Sequence, residues 1–427
     1  MSGNLKTEGK YAQTFVSFNQ AVFVWFKISL LSFGGPAGQI AVMHRLLVEE
    51  LKWVSEKRFL HALNFCMLLP GPEAQQLTIY LGWLLHRVRG GVVAGTLFVL
   101  PGALTVLVLS IIYVTYQKEM LVSSIFFGVK AAVLAIVTTA LWRLARKILR
   151  RKLLVGITIV AFLASFVFAV PLPIVIVGAA LATYFFGEAP VQTVNADEEG
   201  EGRIIDSWVA AGGSPRPHRA FFVAAICAFL WLAPIAVLYG WLGAGHVYVQ
   251  QAMFFSKMAI VTFGGAYAVL SYMAQQTVGH YGWISAGEML DGLGMAETTP
   301  GPLIMVTQFV GFMGAYHSPG VLDPMMAGCL GALVTTWVTF VPCFLWIFLG
   351  APYIEMLRGN RVLAAALTGI TAAVVGVVLN LAILGSILGR FGIDLGAFSH
   401  MGRIAKIMKN LSFFGFFRYS GGLEWLF

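Results

Sequence analysis

The stretch from Lys27 to Pro72 recurs without a gap 230 positions later, from Lys257 to Pro302. Thirteen of its 46 positions are identical, and they include Phe33-Gly34-Gly35 with Phe263-Gly264-Gly265, Met43 with Met273, Trp53 with Trp283, Ser55 with Ser285, and Pro70-Gly71-Pro72 with Pro300-Gly301-Pro302. Helix breakers are thus prominent among what the two copies share. A fold for this chain must use the same interrupted unit twice. Further matches fall at a spacing of 241, Pro101 with Pro342 and Gly128 with Gly369, so later helices are duplicated too.

The residues between the motifs set the solvent. Hydrophobic residues make up 59% of the 427 positions and charged ones 11%, and the mean hydropathy of +0.82 belongs to a chain embedded in lipid. Apolar segments lie at about 15–48, 58–86, 90–116, 121–147, 152–168, 171–187, 219–242, 247–277, 286–316, 323–350 and 360–388, against the roughly 20 residues a span needs. The expected fold is an all-α polytopic membrane protein. In 58–86 and 286–316 the Pro-Gly-Pro leaves half-helices of about 12 to 15 residues, too short to cross separately, so these are expected to be re-entrant hairpins or broken spans. The boundaries that follow are an N-terminal tail over 1–14, a first repeat over 15–187, a polar linker over 188–218, a connecting transmembrane helix over 219–242, a second repeat over 243–390, and a tail over 391–427 that is either membrane-associated or crosses once more.

Basic residues orient the units. Lys52, Lys57, Arg58, Arg87 and Arg89 flank the first unit's motifs, whereas the matched stretches near Gly279–Ser285 and Ala315–Pro319 contain neither Lys nor Arg. The positive-inside rule places the two sets of loops on opposite faces, as in an inverted-topology repeat. The formal charge of +9 includes the block Arg143, Arg146, Lys147, Arg150, Arg151 and Lys152 at one helix end, the composition of a cytoplasmic loop rather than of a nucleic-acid surface. Four scattered cysteines and eight histidines show no metal-ligand spacing, and neither a phosphate loop nor a hydrolase signature occurs, so no metal, cofactor or catalytic residue is expected.

The interruptions carry the chemistry. A proline at a helix start lacks an N–H that would have no partner there, which suits Pro36, Pro72 and Pro302 to that position. Each start presents unpaired N–H groups and the positive end of a helix dipole, a site for an anion. Gly34, Gly35, Gly71, Gly264, Gly265 and Gly301 allow close backbone approach, although glycine and proline also serve simple kinks in membrane helices. Lys27 and Lys257 fall near the middle of their segments, where a charge costs at least about 2.5 kcal/mol and calls for a partner unless it snorkels. Arg58 stands before the first Pro-Gly-Pro and Glu73 directly after it; the second unit has Asp291 and Glu297. The expected site therefore holds an anion with Lys27, Lys257, Arg58 and the backbone around Ser32, Pro36, Pro70, Gln75, Thr299 and Pro300, while Glu73, Asp291 or Glu297 exchanges a proton.

With Ser29-Leu30-Leu31-Ser32-Phe33-Gly34-Gly35-Pro36, Trp53, Leu69-Pro70-Gly71-Pro72 and the second copies Thr262-Phe263-Gly264-Gly265 and Thr299-Pro300-Gly301-Pro302, the chain resembles the chromate ion transporter family in its long, two-domain form. The resemblance implies a multi-pass carrier of the bacterial inner membrane that exports chromate and confers resistance, with sulfate as chemical mimic, powered by a proton gradient or the membrane potential. It leaves open a homodimer, sulfate or related oxyanion uptake, and an anion channel. Ala266 stands in place of Pro36 and Leu303 in place of Glu73, so the halves are not equivalent.

Overall fold

In a computed structural model, the described residues are 16–67, 69–116, 151–166, 172–186, 217–261 and 272–351, with single positions at 119, 124, 128, 146, 170, 270, 369, 372, 373 and 376. Gly264, Gly265, most of the linker and the tail over 391–427 lie outside them. The described chain is helical, and no strand occurs among the described residues.

The two units share a local plan whose parts can be traced to matched residues. Helix α1 (Phe18–Leu31) begins at Ser17, whose hydroxyl accepts the Gln20 N–H at 3.3 Å, and ends at Ser32, where the chain turns through Gly34 (φ 76°) and Gly35 (φ 71°) into α2 (Gly35–His44). Helix α2 widens to a π turn over Arg45–Glu50, and the matched Gln275–His280 does the same. Both turns close with a left-handed residue, Lys52 (φ 52°) and Gly282 (φ 63°). The buried Trp53 and Trp283 then donate their backbone N–H groups to Leu47 (2.9 Å) and Thr277 (2.8 Å). Ser55 caps α3 (Glu56–Cys66) and Ser285 caps the counterpart labelled α9 below, each accepting from the N–H three residues on, at Arg58 and Glu288. Glu288 also reaches back to the Ser285 N–H at 2.7 Å, a full capping box that the first unit, with Arg58 there, does not have.

Beyond the first Pro-Gly-Pro runs α4 (Glu73–Tyr116), which bends back on itself at His86 and Arg87 (φ 56°). Gly82 then faces Gly90 so closely that a Cβ on Gly90 would fall 2.2 Å from the Gly82 carbonyl oxygen. Peripheral helices α5 (Lys152–Phe166) and α6 (Leu172–Phe186) follow, then α7 (Pro217–Leu242), whose Phe221, Phe229 and Trp241 face outward as a lipid-facing span requires. The second unit comprises α8 (Val247–Val261), α9 (Ala286–Thr298), a 3₁₀ turn over Leu303–Met305, α10 (Val306–His317) and α11 (Pro324–Gly350). Glu73–Tyr116, Phe221–Leu242 and Pro324–Gly350 are long and apolar enough to cross a membrane.

Both Pro-Gly-Pro segments are hairpins. Phe65 and Tyr80 lie on opposite sides of Gly71 yet bring their ring centroids within 6.0 Å. A Cβ at Gly292 would lie 2.4 Å from the Phe309 ring, across Gly301. Unbroken helices would separate such pairs by more than about 20 Å. The later helices α4 and α11, related by the 241 spacing, pack against one another in opposite directions: Gly91 meets Phe348 and Gly95 meets Phe344. Loss of any side chain at Gly91 and Gly95 lets the Phe rings lie flush on α4, with Cβ positions only 2.8 and 2.7 Å from them.

Candidate functional site

The hairpin tips meet the partner unit at matched places. Gly71 (φ 120°) lies against Cys343 of α11, where a Cβ would be 3.1 Å from its sulfur, and Gly301 (φ 100°) lies against Gly102 of α4. Gly102 and Cys343 directly follow the matched Pro101 and Pro342, so each tip seats where the other unit's long helix carries its proline. A Cβ at Gly102 would fall 2.4 Å from the Pro300 carbonyl oxygen. From the pairing of Gly95 with Phe344, the two seats are about 9 Å apart along α4.

The second tip is bonded across the units. Gly301 N–H donates to the Ser32 carbonyl at 3.0 Å, and its carbonyl accepts from the buried Gln39 side chain at 2.6 Å. The break between α1 and α2 of the first unit thereby holds the Pro-Gly-Pro of the second. Ser32 is buried and turns its hydroxyl to the Ile28 carbonyl (2.7 Å), which commits its side chain to α1. At the first tip the buried Gln76 amide donates to the Pro70 carbonyl at 2.6 Å and lies over Gly71.

Prolines mark the helix starts, one place earlier than expected in two cases. Pro36 lies in the first turn of α2, whereas Pro72 and Pro302 are caps whose carbonyls accept from Gln76 (3.1 Å) and Met305 (2.9 Å). Their fixed φ also suits an extended cap, as Pro302 shows at φ −61° and ψ 136°. Gln75, in the first turn of α4, is wholly buried, and neither atom of its amide has a hydrogen-bond partner among the described residues. The same holds for the Thr299 hydroxyl, 4% exposed beside the second tip. Gln308 bridges the units by donating to the Ala103 carbonyl at 2.8 Å.

The acidic candidates divide between tip and shaft. Glu73 is half-buried at the first position of α4. Glu297, 5% exposed, lies one turn before the second tip on α9, and Asp291, 3% exposed, lies about 10 Å further down that helix. Tyr113 of α4 donates its hydroxyl to Asp291 at 3.0 Å, tying the shaft of the second hairpin to the first unit.

The basic candidates are not gathered at the tips. Lys27 and Lys257 lie at matched positions on exposed faces of α1 and α8, beside exposed Phe23, Phe26 and Leu30 in the one case and Met253 and Ile260 in the other. Arg58 is half-buried in the first turn of α3, about 12 Å along the helix from its tip end. Sequence reasoning missed Gln39, Gly102, Tyr113 and Gln308, whose roles are contacts between units. A signal existed for one of them, since Gly102 follows the repeated proline.

An all-α membrane protein made of two hairpin units that clasp each other's tips is the class these features define. The chain belongs to the chromate transporter family: the family described as "Chromate transporter" matches residues 19–184 and 249–418, two stretches whose starts are again 230 positions apart. Among similar proteins, the "Chromate transport protein" of Pseudomonas aeruginosa is 32% identical over 85% of this chain and 80% of its own length. That of Cupriavidus metallidurans is 28% identical over 85% and 81%, and the "Probable chromate transport protein" of Synechococcus elongatus is 29% identical over 92% and 89%. No solved structure matches this chain.

Proposed function

We propose that this protein is a secondary active transporter that exports chromate across the inner membrane by alternating access of two inverted units, and so gives chromate resistance. The observation that carries the reading is the seating of each Pro-Gly-Pro tip on the other unit's proline-bearing helix, with Gly301 bonded to Ser32 and Gln39. A motion of one unit against the other must part or re-form these contacts, which is what a gate around a central site requires. Inversion is supported by the opposite directions of the matched α4 and α11 and by the one-sided Lys and Arg of the first unit's loops.

The substrate is a tetrahedral dianion held by backbone N–H groups at the hairpin tips and by neutral side chains there, of which Gln75 and Thr299 are buried and unpartnered. Glu73 and Glu297, near the tips, and Asp291, further down α9, are the groups that exchange a proton. Inverted membrane vesicles containing the chain should accumulate labelled chromate only when energised, with unlabelled sulfate competing. Accumulation that is indifferent to the energy source, or equilibration without accumulation, would reject active export and indicate a channel.

A further inference from the structure

We infer that each chain holds its oxyanion at a single site, the start of α4 at the first hairpin tip, and that the buried amide of Gln75 is its specificity-determining side chain. The inference rests on the reading of the chain as an oxyanion transporter and deepens it, because a duplicated sequence would otherwise suggest two sites.

Among the described residues, the three helix starts near the tips differ in what they can offer. At α2, the Phe33 carbonyl already lies over the first turn, where a Cβ on Gly38 would be 2.4 Å away, and Gly34 stands exposed with nothing within 4 Å of a Cβ there. At α10, the helix is preceded by the 3₁₀ turn Leu303–Met305, whose side chains are apolar and buried, and the tip's own N–H and carbonyl are taken by Ser32 and Gln39. Helix α4 begins directly after Pro72, with Gln76 N–H on the Pro72 carbonyl. The N–H groups of Ala74 and Gln75 precede the first intrahelical bond and find no acceptor among the described residues.

Gln75 adds the second, independent sign. Side chains on a helix lean toward its N-terminus, so an amide in the first turn leans toward the end that presents those N–H groups. It is 0% exposed and unpartnered, and a buried amide left unsatisfied is destabilising. A tetrahedral dianion at the helix start would accept from the Gln75 side-chain NH₂ and from the free backbone N–H groups together, and the dipole favours its charge. The second unit has Met305 at the place of Gln75 and Leu303 at that of Glu73, so duplication preserved the hairpin while only the first tip is followed by polar side chains; the second has the Thr299 hydroxyl before it and no amide after it.

The test is equilibrium dialysis of the purified full chain in detergent with chromate, and separately with sulfate, against Gln75→Met, Gln75→Asn and Met305→Gln. Gln75→Met installs the second unit's residue and removes an unpartnered amide, so without oxyanion its thermal midpoint should stay level or rise. Its affinity should fall by about 10- to 100-fold, the loss of a hydrogen bond to a charged ligand. Gln75→Asn, which keeps an amide, should fall less, and Met305→Gln should leave one equivalent bound per chain. Two equivalents in the wild type, or unchanged affinity in a folded Gln75→Met, would overturn the single site and leave the transport reading standing. A wild type that binds sulfate in one Gln75-dependent equivalent but not chromate would overturn the chromate reading and keep the site; binding of neither would overturn both.

Discussion

Gly102→Ala is the substitution that loads the contact between the units most directly. The added methyl would lie 2.4 Å from the Pro300 carbonyl oxygen and 3.3 Å from the Gly301 Cα, both backbone atoms, and real Cβ contacts stay above 3.0 Å. The second tip must therefore move by at least about 0.6 Å away from α4. It is held there by two bonds, Gly301 to Ser32 at 3.0 Å and Gln39 to Gly301 at 2.6 Å, so the movement stretches both. Overpacking of this kind costs about 1–3 kcal/mol and a weakened hydrogen bond up to about 1 more, which gives roughly 1–4 kcal/mol against the clasped state. A two-state gate biased by 2 kcal/mol changes its populations by about 30-fold. Chromate uptake into energised vesicles should accordingly drop by at least tenfold at equal protein level, and the thermal midpoint should fall by several degrees. Gly156→Ala is the control: nothing lies within 4 Å of a Cβ there, and alanine improves helix propensity by up to about 1 kcal/mol. A Gly102→Ala chain with wild-type uptake and midpoint would refute the seating of the second tip on α4.

Other outcomes follow from the same geometry. Tyr113→Phe removes the 3.0 Å bond to Asp291 and should lower stability by about 1.5–3 kcal/mol, seen in the thermal midpoint; an unchanged midpoint would show that the bond contributes nothing. Glu297→Gln should keep chromate binding and lose proton-driven accumulation, whereas unaltered accumulation would remove Glu297 from coupling. Tags inserted beside Lys52 and Gly282, which occupy matched left-handed positions, should be labelled from opposite faces of intact cells and inverted vesicles. Labelling from a shared face would dismiss the inversion.

The duplicated motifs made much of the fold legible, because glycine and proline record backbone geometry that no other residue supplies. Gly71 and Gly301 do take positive φ, and the folded-back Pro-Gly-Pro segments form the hairpins that the short half-helices allowed. The serine caps were legible in the repeated Ser55 and Ser285, whereas the matched π turns were not, because a local widening of a helix leaves no residue signature of its own. Lys27 and Lys257 mark where sequence reasoning loses resolution. Apolar residues lie on both the buried and the exposed faces of their helices, so periodicity cannot tell an inward from an outward lysine, and the structure puts both on exposed faces. Gln39, Gln308 and Tyr113 were silent for another reason: each acts on a residue at least 178 positions away, and only the packing of the two units brings such pairs together.

Crystals of the chain grown with chromate would locate the bound ion through the anomalous scattering of chromium, without reference to any substitution. The tetrahedral ion should lie at the start of α4, within hydrogen-bond distance of Gln75 and the backbone N–H of Ala74, between the two seated tips. A signal instead beside Lys27 or Lys257 on the outer helix faces, with the tips unoccupied, would contradict the claim that the clasped hairpins form the transport site.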